Sequence, residues 1–504
     1  MTAETKPQTG ADITTHGLLI NGEDVPARSG RTVAVLSPSG EEVAQVAAAG
    51  VEDARAAVDA AAEAFKTWRE TPPVERQKVM LRAAELLQER QGEFTELMAR
   101  EVGGTPVWTA INIALSVQIL QQAATLGSGP IGESYNTGGP GVASFTIREP
   151  AGVVLAISPW NAPIVLGIRA FAVAIALGNT VVLRPSEESP VTAGLALARL
   201  MADAGLPAGV LNVITNDRAD APELIESMIS DDRVRRVNFT GSTAVGRKIG
   251  EVAGRNLTPA LLELGGKNPL LVLDDADLDY AVDAATFSGF YNSGQICMCS
   301  DVVLVPNSLV DEFSARLARR VGGLGVGDPT QPTTVVGPLI TRASAERIRG
   351  LVDSALESGA VLAAGERTDV PADASDDDAV VVAPVVLRDV PVDSELRTEE
   401  FFGPLLEVRG YDTIDEAVEM MNGTGYGLSA GIITSNMGRG WEIAPRIQAG
   451  SVHVGDQTVA DHAAVPFGGM GKSGFGKFGG FREEEFFTET RWITLQAAHA
   501  QYPL

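Results

Sequence analysis

Four short stretches of this chain hold side chains that could act together in covalent catalysis. Phe290-Tyr291-Asn292-Ser293-Gly294-Gln295-Ile296-Cys297-Met298-Cys299 contains the only two cysteines among 504 residues. Leu262-Glu263-Leu264-Gly265-Gly266-Lys267-Asn268-Pro269 sets an acid beside a Gly-Gly turn, and Ser158-Pro159-Trp160-Asn161-Ala162-Pro163 sets an amide between prolines. Glu399-Glu400-Phe401-Phe402-Gly403-Pro404 places an acidic pair before an aromatic pair. A thiolate attacks electrophilic carbon readily, a desolvated carboxylate can serve as general base, and an amide N–H can stabilise a developing oxyanion. Each stretch also has a plainer reading. A free cysteine is most often a small buried apolar residue, Asn161 suits a turn, and Glu399-Glu400 suits a solvated acidic face.

The elements that must position these residues follow from periodicity. From Gly152 onward, strand-like runs at 153–158, 180–184, 210–214, 234–239 and 260–264 alternate with helical segments. That alternation predicts a parallel sheet covered on both faces, with ligands beyond the carboxyl ends of its strands. A second α/β unit is expected from about Gly266. The stretch Thr240-Gly241-Ser242-Thr243-Ala244-Val245-Gly246 lies between a strand and a helix, where free amides suit a phosphate and Ser242 equally suits a plain N-cap. Upstream, Asp53 to Thr71 reads as an amphipathic helix with Val58, Ala62, Phe65 and Trp68 on one stripe. Pro72-Pro73 ends it and opens a second helix with Val79, Ala83 and Leu86 inward; a third, around Glu93 to Val102, stops at Gly103-Gly104. Residues 143–148 and 486–495 read as strands, 371–378 as an acidic surface loop, and 1–16 as a disordered leader.

Composition narrows the partners. A net charge of -26 argues against nucleic acid and anionic membrane surfaces. No apolar run reaches a membrane span and the first residues lack a signal core, so a cytoplasmic location is expected. The four histidines, His16, His453, His462 and His499, lack metal-ligand spacing, and no metal is expected. Thiols confined to one stretch of a chain this long point to chemistry or chance, not to disulfides.

Taken together and in this order, the four stretches resemble the aldehyde dehydrogenase superfamily, over about Leu18 to Trp492. Val452-His453-Val454-Gly455-Asp456-Gln457-Thr458-Val459 and the Gln-Ile-Cys-Met run are most similar to its benzaldehyde, vanillin and salicylaldehyde group. The resemblance implies an α/β fold: a cofactor-binding domain at 17–133 and 151–265, and a catalytic domain at 266–479. Residues 134–150 and 480–504 would form a small bridging β-sheet that joins subunits of a homodimer or homotetramer. It also implies oxidation of an aldehyde to the free acid through a Cys297 thioester, with Asn161 and the Cys297 amide holding the oxyanion and Glu263 activating water. The acylating branch lacks that acid, so hydrolysis is expected over transfer to coenzyme A. Cys299 is displaced from the nucleophile position, and packing is its expected role.

By the same resemblance, Ile157, Pro159, Trp160, Arg184, Ser186, Glu187, Gly241, Ser242, Gly246, Leu264, Glu400 and Phe402 would hold a nicotinamide cofactor. Arg184 departs from the family, which usually places lysine there. Arginine could meet ribose hydroxyls or a 2′-phosphate, whereas Glu187 would repel that phosphate, so NAD is expected with NADP as the alternative. Ala162, Leu166 and Arg169 share a helix face after Asn161 and, with Ile296 and Met298, would line the substrate tunnel. A small Ala162 leaves room for a ring, and Arg169 could bond a phenolic oxygen or carboxylate, although a surface or interface cation is its plainer reading. An aromatic aldehyde is expected first, with aliphatic aldehydes and semialdehydes as alternatives. A cofactor-independent thiol esterase is a different class, and would need His453 or His462 as base.

Overall fold

The computed structural model describes residues 13–137, 141–366, 379–497, 499, 502 and 503. The expected acidic loop at 371–378 and most of the expected leader lie outside these residues. The end of that leader is ordered: Thr15–His16 forms a short strand parallel to Gln45–Val46. A strand edge exposes unpaired backbone groups, and these two residues satisfy one such edge.

Among the described residues, two large sheets organise the chain. The first has eight strands, five of them parallel, in the spatial order Ala260–Glu263, Val234–Thr240, Val153–Ser158, Thr180–Pro185, Leu211–Val213. Every residue of the Val153–Ser158 and Thr180–Pro185 strands is buried, as parallel strands covered on both faces require. From Val153–Ser158 the chain builds outward through Thr180–Pro185 to Leu211–Val213. It then returns to place Val234–Thr240 on the other side. The order therefore reverses between Ser158 and Thr240, which opens a crevice beyond the ends of those two strands. The second sheet has seven strands, with Ser300–Pro306 and Asn268–Val272 near its centre and only Val361–Ala364 antiparallel.

Only four residues separate the last parallel strand of the first sheet, ending at Glu263, from Asn268 at the start of a central strand in the second. Asn268 anchors that crossing. Its Nδ2 donates to Cys297 O at 2.7 Å and Cys299 O at 2.9 Å, and its Oδ1 accepts from Ser429 N at 3.0 Å.

The helices follow the expected punctuation with some shifts. Val51–Trp68 turns its Ala54, Ala57, Val58 and Ala61 stripe inward, while Ala62 and Phe65 are only half-buried. Small residues there let the helix lie close to the sheet. Pro73–Glu89 buries Val79, Ala83 and Leu86, and Gln91–Val102 ends at Gly103 with φ 63°. A 21-residue helix, Pro106–Leu126, is not evident from periodicity because apolar residues surround it. Its Thr105 N-cap and Pro106 are the signal that marks it. Val142–Pro150 and Thr488–Gln496 pair antiparallel as a separate two-stranded sheet that leaves Trp492 and Leu495 exposed. The second strand begins at Thr488, because Gly480–Phe486 is helical.

Replacing Asn268 by Ala removes three buried hydrogen bonds, about 1 kcal/mol each. The expected result is a lowered thermal midpoint together with faster alkylation of Cys297. An unchanged midpoint would show that the 297–299 loop supports itself.

Candidate active site

The Leu278–Phe290 helix ends where the chain must turn sharply to present Cys297. Asn292, Ser293 and Gly294 take φ of 49°, 57° and 72°, three successive left-handed residues of which two carry side chains. Such a backbone persists only where its surroundings hold it. Ser293 Oγ donates to Gly337 O at 3.0 Å, and Gln295 Oε1 accepts from Ile340 N at 3.0 Å. Gly294 lies so close to Gly403 O that a Cβ could not fit.

The three expected catalytic residues converge on this loop. Asn161, buried at the end of the Val153–Ser158 strand, donates one amide hydrogen from Nδ2 to Gln295 O at 3.0 Å, which leaves the other free. Its own carbonyl accepts from Trp108 Nε1 at 3.0 Å, so the turn cannot swing away. Cys297 is half-buried, and burial together with the charges of Glu263 and Glu400 raises its thiol well above the usual range. Glu263 is 2% exposed, and neither carboxylate oxygen has a hydrogen-bond acceptor's usual partner. Burial pushes it up to about 7, against the opposing influence of the Cys297 thiol and the Arg169 charge. Cys299 is buried, with its thiol toward Tyr291 O at 3.9 Å. His462, one of the two candidate bases for a thiol hydrolase, has its Nδ1 engaged by Ala464 N at 3.2 Å.

Ala162, Leu166, Ile296 and Met298 are all buried in one apolar cluster, with Trp160, Tyr291, Cys297 and Val459 packed against it. Arg169 departs from expectation. Its guanidinium is buried and paired with Asp461 Oδ2 at 2.6 Å, between the rings of Phe467 and Phe478. A cation taken out of water needs a counter-charge, and Asp461, 292 residues away, supplies it. Residues that sequence reasoning missed include Trp108, Asn268 and Asp461. Only Trp108 carried a local signal, as the third residue of the helix opened by Thr105-Pro106.

A family model for the aldehyde dehydrogenase family matches residues 25–493. The chain belongs to the aldehyde dehydrogenase family. A vanillin dehydrogenase of Pseudomonas fluorescens is 44% identical over 488 residues, 97% of this chain and 99% of its own. A salicylaldehyde dehydrogenase and a benzaldehyde dehydrogenase (NAD+) of Pseudomonas putida are each 38% identical, over 96% and 97% of this chain and 99% and 98% of theirs. Among solved structures, a salicylaldehyde dehydrogenase from Pseudomonas putida G7 complexed with salicylaldehyde superposes with a TM-score of 0.93 at 37% identity. It covers 98% of this chain and 100% of its own. A betaine aldehyde dehydrogenase from Staphylococcus aureus in complex with NAD+ gives 0.92 at 29% identity, covering 97% and 96%.

Aldehyde dehydrogenases are NAD(P)-dependent, and the residues of this one fit such a group. Ser242 caps the Thr243–Arg255 helix, its Oγ accepting from Val245 N at 3.3 Å, and the first-turn amides lack carbonyl partners within the helix. Gly241 is half-buried at the crevice and Ser242 is exposed there. Gly246 packs so closely on Leu264 that a side chain there would displace the helix start. Ile157 is buried in the sheet, Pro159 and Trp160 stand half-exposed beyond it, and Trp160 meets Phe402 edge-on at 5.7 Å. Glu400, pushed up to about 8 by burial, accepts from Gly266 N at 2.9 Å, beside a Gly265 with no room for a Cβ. Arg184 and Glu187, expected to pull cofactor choice in opposite directions, pair with each other, and Arg184 Nε also donates to Asn216 Oδ1 at 2.8 Å. Ser186 Oγ bonds Glu188.

Gly246→Val should weaken NAD binding by about tenfold, or about 1.4 kcal/mol, in a fluorescence titration, because the helix start must move off Leu264. Parent-like affinity would remove this helix from the cofactor site.

Proposed function

We propose that this aldehyde dehydrogenase oxidises an aromatic aldehyde to its free carboxylic acid, with NAD preferred over NADP. The carrying observation is the convergence of Cys297, Asn161 and Glu263 on one loop, with Cys297 packed against an apolar cluster. The Cys297 thiol gives its proton to solvent water as Sγ bonds the carbonyl carbon. The carbonyl π electrons move to oxygen, where the free Asn161 amide hydrogen and the Cys297 N–H receive the charge. A nicotinamide cofactor, when bound, would accept the hydride leaving that carbon, and the acyl group would stay on Cys297 as a thioester. Glu263 draws a proton from water, the hydroxide oxygen bonds the acyl carbon, and the C–S bond breaks with that proton passing from Glu263 to sulfur, which returns the thiol, the carboxylate base and the free acid. Glu400, with one oxygen on Gly266 N, would hold the nicotinamide-side ribose with its other oxygen.

The aromatic preference rests on two lines. The relatives named above act on vanillin, salicylaldehyde and benzaldehyde, and small Ala162 belongs to the same buried apolar cluster as Leu166, Ile296 and Met298. Arg169, already paired, is set aside as a direct substrate ligand. The Arg184–Glu187 pair supports NAD: the guanidinium is neutralised and the carboxylate stands near the expected ribose, where a 2′-phosphate would be repelled. We further read 17–133 with 151–265 as the cofactor-binding domain, 266–479 as the catalytic domain, and the 142–150 and 488–496 sheet as the seam of a homodimer or homotetramer. Its exposed Trp492 and Leu495 support that seam.

Four outcomes are expected. Benzaldehydes should exceed long aliphatic aldehydes by more than about tenfold in kcat/KM, about 1.4 kcal/mol, and NAD should exceed NADP by a similar factor. An inverted aldehyde order ends the aromatic reading, and equal cofactor efficiency ends the NAD preference. Glu263→Gln should give a burst of reduced cofactor followed by turnover slowed about 100-fold or more. In the parent, a carboxyl raised to about 7 is protonated below that pH and a base above it. Thioester hydrolysis should therefore climb as pH rises through about 7, and the Gln variant should lose that climb. A parent profile flat from pH 6 to 8 would assign the base elsewhere.

A further inference from the structure

One buried ion pair has no part in the steps above. Lys267 has a fully buried side chain, with Nζ 3.4 Å from Asp301 Oδ2 and 3.2 Å from the centre of the Phe401 ring. Asp301, equally buried, uses the same Oδ2 to accept from Phe401 N at 3.0 Å. Arg347 closes on Phe401 O from the other side. Phe401 is thus gripped at its amide, its carbonyl and its ring. Its neighbours are Glu400, bonded to Gly266 N, and Phe402, which takes φ 49° and meets Trp160 edge-on at 5.7 Å.

We propose that Lys267 and Asp301 are positioning residues for Glu400 and Phe402, locking the cofactor-facing 400–402 segment to the strand that follows the thiol loop. The assignment rests on the reading of Glu400 as the holder of the nicotinamide-side ribose. Asp301 stands two residues beyond Cys299, and Lys267 stands beside Asn268, which holds the carbonyls of Cys297 and Cys299. The same short region therefore fixes the thiol and the ribose carboxylate relative to each other. Hydride departure depends on that relation, since misplacement by about 1 Å can cost about 100-fold in rate. Packing alone would be better served by apolar residues of similar volume, because each buried ion carries a desolvation cost of several kcal/mol. Lys267 cannot itself act on substrate: it is sealed beneath Phe401, away from any approaching aldehyde.

The test compares Lys267→Met and Asp301→Asn with the parent in NAD titration, aldehyde oxidation and cofactor-free hydrolysis of 4-nitrophenyl acetate. Expected are a Kd for NAD raised about tenfold and kcat for oxidation lowered about tenfold, with ester hydrolysis within about twofold. The discriminating arm is a double-mutant cycle with Glu400→Gln. If Lys267 acts through Glu400, Lys267→Met should cost no further NAD affinity in the Glu400→Gln background. Additive losses, or parent-like NAD affinity in both single variants, overturn the proposal, as does an equal fall in ester hydrolysis and oxidation. Should Lys267→Met fail to fold, Asp301→Asn, nearly identical in shape, carries the same cycle. Parent-like NAD affinity in Glu400→Gln would instead overturn the underlying reading of Glu400.

Discussion

The structure depends on one short crossing of polypeptide. Between Glu263, at the carboxyl end of a strand in the first sheet, and Asn268, at the start of a central strand in the second, there is no slack. The crossing must therefore satisfy both sheets at once, and nearly every group in it is also in contact with the site. Glu263 lies among the groups that shift the thiol. Gly265 and Gly266 admit the Glu400 carboxylate and the Cys297 carbonyl at distances no side chain would allow. Lys267 reaches Asp301 and Phe401, and Asn268 ties down the thiol loop. Glycine is needed at two of these positions because of close approach, not conformational freedom.

Around that crossing, desolvation sets the chemistry. Glu263 is held near 7 and Glu400 near 8, while the thiol between their fields is raised. Such a thiol stays protonated until a base and an oxyanion site act together with substrate in place. Clusters of groups shifted in this way mark working sites more often than structural ones. The strained 292–294 turn belongs to the same logic, since its cost is met by bonds to the 337–340 segment rather than by its own residues.

Arg169 and Arg184 show where residue type misleads. Both stand where a free cation could meet a ligand, and both are paired, one with Asp461 and the other with Glu187. Neither pairing is visible locally in the same way. Glu187 lies three residues from Arg184, and that pair could have been weighed from spacing. Asp461 lies 292 residues from Arg169 and joins it only through the packing of distant segments. The Pro106–Leu126 helix was hidden for another reason: apolar on all sides, it offers no periodic stripe to read.

What the sequence by itself determined was the set of reactive residues and the alternation of strands and helices around them. Local preference, turn chemistry and motif spacing act over a few residues and can be read directly. Tertiary structure alone decided which charges neutralise one another, which glycines stand against which backbones, and that Lys267, Asp301 and Phe401 form a unit. Those outcomes depend on desolvation and on contact between segments a hundred residues apart in one case and thirty-four in another. No local pattern encodes such distances, because the cost of burying a charge is fixed only once its neighbours are in place.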